Sequence, residues 1–334
     1  MDLNNRKSLK NTAKQRLEAS ESAPKIALIF AGILAAVSLV LNLVSFLLEV
    51  QIDRSTGLSN IGLRSTLSTV QAFLSPLASL FLMGLTMGFT GTMLRTARGQ
   101  FTSPQGMKIG FARFWVLLRS EILLGLFYFA AILIGSQLGF SLFLMTPLSN
   151  SFMGIVESMM GTGAALDPMS LLMDAAAEAD LLLALTPMLL LTSLISLALM
   201  LPVYYRYRMT RYVILDNPGM GAVQSMRMSA MMMRKKHMAM FKLDLSMWWY
   251  YLGTLAAFLV GYATTFLALA GIQLPLSPMA AFLVFLGAYL VVGFLVNFFL
   301  RPRMEVIVAG AYDAIRPRPR EPEGGVVLGN IFNM

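Results

Sequence analysis

Six stretches of this chain, 26–48, 70–94, 122–145, 181–203, 247–270 and 279–300, each run for more than twenty residues without a single Asp, Glu, Lys, Arg or His. A helix needs about 20 mostly apolar residues to cross a ~30 Å hydrocarbon core. A soluble core helix rarely stays free of charge for that long. Composition agrees: 57% of residues are apolar, 13% are charged and the mean hydropathy is +0.69. A soluble domain carries roughly 25% charged residues. A soluble enzyme, a disordered chain and a collagen-like repeat are therefore excluded. The alternation of apolar and polar residues that marks a barrel strand is absent. The expected fold is an all-α membrane protein with six transmembrane helices. The first apolar stretch exceeds the roughly 7–15 residues of a signal-peptide core, and no clear small-residue cleavage site follows it. It is read as a retained span.

The basic residues orient these spans. Of 26 Lys and Arg, 24 fall in the N-terminal segment, the second and fourth connections and the C-terminal tail. Arg54 and Arg64 lie in the first connection, and the third and fifth connections have none. Positive residues mark the cytoplasmic side, so both termini are expected in the cytoplasm, and six spans satisfy that parity. The acidic residues Glu157, Asp167, Asp174, Glu178 and Asp180 all sit in the third connection, on the outer side.

Four regions stand apart from the spans. Residues 1–25 read as a cytoplasmic amphipathic segment, with Leu9, Ala13 and Leu17 at helical spacing between Lys10, Lys14 and Arg16. Such a helix lies on the inner leaflet; the alternative is a frayed tail. The six-span domain covers 26–300 and includes an acidic outer loop, 146–180, and a basic cytoplasmic connection, 204–246. In the outer loop Asp167-Pro168 reads as a helix start. Asp174 and Glu178 lie one turn apart, as a solvated acidic face or, less simply, a calcium site. In the basic connection Asp216-Asn217-Pro218 reads as a second helix start, with a helix running on to about Met240. Ala222, Met226, Ser229, Ala230, Met233, His237 and Met240 share one face of it, and Met228, Met231 and Met232 the other. The remaining region, 301–334, reads as a cytoplasmic Pro/Arg-rich tail, extended and disordered at Arg316-Pro-Arg-Pro-Arg-Glu-Pro.

Chemistry-bearing constellations are scarce. There is no cysteine and only one histidine, His237. That removes thiolate chemistry and clusters of His ligands. No phosphate loop or metalloprotease motif is present, and no ionisable residue sits at membrane depth, as a proton-coupled pump would need. No catalytic residue, metal ligand or cofactor is expected. Asn42, Gln137 and Asn297 are polar within spans. They form a candidate polar path or, alternatively, hydrogen bonds between helices. Gly84 and Gly88, and Gly135 and Gly139, form close-approach faces for packing or dimerisation. Pro76 and Pro187 fall inside spans, where proline kinks or breaks a helix.

The fourth connection carries a resemblance. Tyr205-Arg206-Tyr207, Tyr212, Ile214-Leu215-Asp216-Asn217-Pro218, Ser229, Met233, Phe241 and Leu243-Asp244-Leu245-Ser246 resemble a family of bacterial integral membrane proteins, domain-of-unknown-function 975. The run Arg6 to Lys14, the stretch Gly99 to Trp115, and an alanine and Tyr312 near the tail are similar to it too, so the likeness covers most of the chain. The family tends to carry a glycine before its basic residues, where this chain has Lys235; the departure bears on where that helix ends. The resemblance implies a multi-span plasma-membrane protein and supplies no reaction.

The functional expectation is a non-enzymatic, multi-pass protein of the bacterial plasma membrane that scaffolds or regulates partners or lipids at its cytoplasmic face. The alternative is a permease or exporter subunit for a small or amphipathic substrate. Arg206, Arg208, Arg211, Arg234, Lys235 and Lys236 are the candidate membrane-surface residues. They would meet anionic lipid headgroups or an acidic protein partner; the alternative is that they serve topology alone. No nucleic-acid partner is expected. Asp216, Asn217, Pro218 and Asp244 are structural candidates. Asp244, at the mouth of a span, is expected to pair with Arg206 or Arg208, because a carboxylate there is costly alone.

Overall fold

The computed structural model describes residues 5–54, 61–147, 149–150, 153–154, 175–269, 275 and 277–317. Every regular element among them is helical. The outer-loop expectations at Asp167, Pro168 and Asp174, and the tail beyond residue 317, lie outside the described residues, as does the side chain of Glu178. The helices are α1 (Arg6–Glu18), α2 (Ala23–Arg54), α3 (Ile61–Ala97), α4 (Ile109–Ala112), α5 (Phe114–Leu144), α6 (Ala175–Tyr207), α7 (Thr210–Asp216), α8 (Ala222–Met233), α9 (His237–Leu245), α10 (Trp248–Gly261), α11 (Ala263–Leu269), α12 (Pro278–Leu295) and α13 (Arg301–Ile315). A π-helical turn, Val296–Leu300, joins α12 to α13.

Five of these helical runs are long and apolar enough to cross a membrane, or six if α9 and α10, bent by 64° at their junction, count as one span. At most 28% of the most apolar window of any of the five is buried within the protein. Their outer faces carry large exposed apolar side chains, such as Phe73, Leu77, Leu126 and Leu194. In water, surfaces of this extent would drive association; lipid tails match them. Pro76 and Pro187 both lie inside helices that the structure keeps continuous. The break in the fifth apolar stretch falls elsewhere, at Ser246–Met247 and again at Tyr262.

The chain forms two compact units. One comprises the chain up to Phe111 together with the chain from Lys242 onward, and the other Ala112–Phe241. In the first unit α3 closes with a left-handed Gly99 (φ 70°). Gly99 N donates to Thr96 O, and Gln100 N to Arg95 O, at 2.9 and 3.0 Å. These two bonds satisfy carbonyls that a helix end leaves open. The chain then turns back through Pro104–Lys108 onto α3. A Cβ at Gly88 would strike the Met107 carbonyl and one at Gly110 the Gly84 carbonyl, so this approach requires glycine. Gly84 and Gly88 thus serve packing within the chain.

The region from Arg301 departs from the expected tail. Its first fifteen residues are helix α13, and Val306, Ile307, Val308, Ala309, Ala311 and Tyr312 are buried. The N-terminal α1 packs on it, with Leu9 and Ala13 buried and Leu9 against Gly310. The apolar face of α1 is therefore covered by protein and not free for a leaflet, because α13 supplies the matching apolar surface. Asn5 caps α1 by accepting from Ser8 N at 3.1 Å. From its polar side Arg6 donates to Lys242 O and Lys10 to Ser246 O, at 3.4 and 2.6 Å. These carbonyls lie at the C-terminal end of α9, the negative end of its dipole. Burial, and after it the neighbouring Arg6 charge, hold the Lys10 ammonium below the ordinary lysine range.

Candidate functional site

The basic connection is sorted by its partners. Arg211 Nε makes an ion pair with Glu121 at 2.9 Å, and Arg208 stacks over Tyr204 at 4.9 Å. Exposed Arg206 lies 5.8 Å from the Tyr207 ring, and its carbonyl accepts from buried Ser229 Oγ at 3.2 Å. Ser229 Oγ in turn accepts from Met209 N at 3.2 Å, so one hydroxyl stitches α8 to the α6–α7 junction. Beside it Ala222, Ser225, Met226, Met232 and Met233 are buried, which puts Met232 with the face it was expected to oppose. Met231 is exposed.

The helix expected to run to Met240 ends at Met233. Arg234 is its cap, Lys235 adopts φ +65°, and the chain restarts at His237. A left-handed conformation brings Cβ close to the following carbonyl and costs roughly 1–2 kcal/mol in any residue but glycine. Arg234 and Lys235 are exposed on this turn and Lys236 is half-buried.

Asn217 caps the other way round from the expectation. It ends α7, its N and Nδ2 both donating to Val213 O at 3.0 and 3.1 Å. Arg113 Nη2 donates to the Asn217 carbonyl at 3.0 Å. The motif is thus a helix stop reinforced by an arginine, Pro218 is exposed in the turn, and α8 starts four residues later from Gly221. The Asn amide is drawn back onto the Val213 carbonyl, which its own backbone N–H already engages, and so is not available as an N-cap. Asp244 is 4% exposed, in the last turn of α9 before the bend. It belongs to the first unit, and Arg206 and Arg208 to the second.

Asn42 and Asn297 come together in the first unit, where both line one cavity of about 540 Å³. Gln137 belongs to the second unit and is exposed on α5. Each Asn amide also donates to the carbonyl four residues earlier, Asn42 to Ser38 O at 2.7 Å and Asn297 to Gly293 O at 2.8 Å. The same cavity is lined by Tyr250, Tyr262, Tyr289 and Arg301. Arg301 Nη1 donates to Asn297 Oδ1 at 2.9 Å, and its guanidinium lies 4.8 Å from the Phe30 ring and 6.0 Å from Phe89. Those two rings are stacked at 4.1 Å.

Arg301 was not among the residues singled out from the sequence, where it stood as the first residue of a tail. One signal was available: Asn297 and Arg301 are four apart, and the helical pattern of Val306 to Tyr312 continues beyond them.

No curated protein and no solved structure matches the chain. The family model described as "Protein of unknown function (DUF975)" matches residues 1–318, and the chain belongs to that family.

Proposed function

We propose that this member of the DUF975 family is a non-enzymatic protein of the bacterial plasma membrane, crossing it six times with both termini in the cytoplasm. In this reading its basic cytoplasmic face binds anionic lipid headgroups, and there scaffolds or regulates a membrane or cytoplasmic partner. The observation that carries the reading is the Arg234–Lys235–Lys236 turn. Arg211 is tied to Glu121 and Arg208 lies over a tyrosine ring, whereas Arg234 and Lys235 project freely from the protein. Lys235 occupies a left-handed position where glycine would be unstrained, so backbone strain is retained where a cation stands.

Each basic residue beside an anionic surface contributes about 1 kcal/mol, attenuated by salt. Replacing Arg234, Lys235 and Lys236 by Gln should therefore lower enrichment of phosphatidylglycerol around the protein in mixed nanodiscs at low salt. The difference should fade at high salt, and topology should be unchanged. Equal enrichment in the variant and the wild type at low salt would remove the reading.

A second reading, a permease or exporter subunit for a small or amphipathic substrate, is favoured by one observation, the cavity between α2, α10 and α12. At about 540 Å³ it falls within the ~300–1,000 Å³ of small-molecule sites.

A further inference from the structure

The arginines of the first unit divide by partner. Arg98 holds Asp313 in a fork, with Nε and Nη2 donating at 2.7–3.2 Å. Arg301, half-buried, has no carboxylate within 4 Å among the described residues, and its buried Nε has no hydrogen-bond partner. Its single hydrogen bond goes to a neutral amide, and the rest of its surroundings are the Phe30 and Phe89 rings. A cation–π contact recovers only part of the hydration that a cation loses on burial. The site therefore carries an uncompensated positive charge at the wall of a cavity.

The remaining wall selects among ligands. No acidic side chain lines the cavity, so a cation is repelled and has no ligand there. Asn42, Asn297, Tyr250, Tyr262 and Thr264 supply neutral polar groups, and Phe282, Phe285 and Leu286 apolar surface. Along α12 and the π turn, Phe282 to Arg301 is nineteen steps, or about 28 Å at 1.5 Å per residue. The groove thus combines one cation with neutral polar and aromatic lining. The π turn, Val296–Leu300, contains Asn297 and ends just before Arg301, the residue its side chain binds. Such turns recur at functional sites.

We propose that this cavity binds the phosphate group of an anionic ligand through the Arg301 guanidinium, whose positive charge no carboxylate answers among the described residues. A phospholipid headgroup and a soluble phosphate ester share that chemistry. The inference rests on the membrane placement of the first unit and is independent of the Arg234–Lys236 turn.

The test uses the purified full-length chain. Native mass spectrometry from detergent is run with dioleoylphosphatidylglycerol, with dioleoylphosphatidylcholine, and in parallel with inorganic phosphate followed by thermal stability. The expected result is one retained phosphatidylglycerol, at least tenfold preferred over phosphatidylcholine, with Arg301→Gln losing that preference. Stabilisation by inorganic phosphate without lipid retention, again abolished by Arg301→Gln, assigns the same site to a soluble phosphate ester. Arg301→Lys keeps the charge without the fork and should keep binding at reduced preference, which separates lost binding from lost folding. The Arg234, Lys235 and Lys236 to Gln variant should retain the lipid at Arg301, so failure of the surface reading is distinguishable. A preference unchanged in Arg301→Gln, or no retention and no stabilisation by either probe in the wild type, overturns the proposal.

Discussion

Arg211 in the second unit and Arg301 in the first both stand near the ends of long apolar helices, and they differ in what answers their charge. Arg211 meets Glu121. Arg301 meets an amide and two rings. The same contrast extends to how helices approach. In the second unit Gly135 and Gly139 of α5 let the backbone of α6 close in, and a Cβ at either would sit 2.6 Å from a Cα, of Ser196 or Thr192. In the first unit Gly88 and Gly110 close backbone on backbone in the same way, but α10 and α12 meet through bulky side chains, Gly261 against the Tyr289 ring, and a cavity remains beside them. Where cations are answered and helices are closed, the sequence is committed to holding the fold. A cation left unanswered beside a cavity is stability withheld for a ligand, a pattern common at functional sites.

The packing side of this contrast yields the largest effects. Gly139→Leu in the second unit and Gly88→Leu in the first each drive a side chain into backbone. Each should cost about 3 kcal/mol or more, seen as loss of folded, monodisperse protein in detergent and a large fall in thermal midpoint. A variant that keeps the wild-type midpoint would show that the helices have room to separate. The electrostatic side is next. Arg98→Gln breaks a mostly buried pair (20% and 28% exposed) and should cost about 2 kcal/mol. Arg301→Gln in ligand-free detergent removes a charge with no anionic partner and should cost less than about 1 kcal/mol. Equal losses, measured by thermal unfolding, would erase the distinction between the two arginines. The smallest effect is at the turn after α8. Lys235→Gly relieves the left-handed strain and should stabilise by about 1 kcal/mol, while lowering phosphatidylglycerol enrichment by one cation's share. Stabilisation without any change in enrichment would reduce Lys235 to a topological charge.

The apolar helices were legible because membrane burial leaves a coarse mark, long runs with no charge: five of the six runs fall in helices long and apolar enough to cross a membrane, and the run from Met247 is broken by a bend and again at Tyr262. Finer features were hidden where local and tertiary signals compete. Asp216-Asn217-Pro218 has the letters of a helix start, but Asn217 bonds backward to Val213 and Arg113 reaches in from more than a hundred residues away. Pro302, at the first turn of α13, read as the beginning of a tail because proline suits both a helix start and an extended segment. The apolar run from Val306 was the countersignal. Arg301 escaped notice because its significance lies in what it lacks, a carboxylate, and that is a property of packing rather than of spacing.

The proposed role of the basic turn rests on one premise, that the basic connection faces the cytoplasm. The cysteine-free background makes it directly measurable. Ser229 is buried and would be silent on either side of the membrane, whereas Arg234 is exposed. In intact cells an impermeant thiol reagent should label Asp174→Cys and leave Arg234→Cys unlabelled until the membrane is permeabilised. Labelling of Arg234→Cys in intact cells would place the basic face outside and contradict the six-span arrangement.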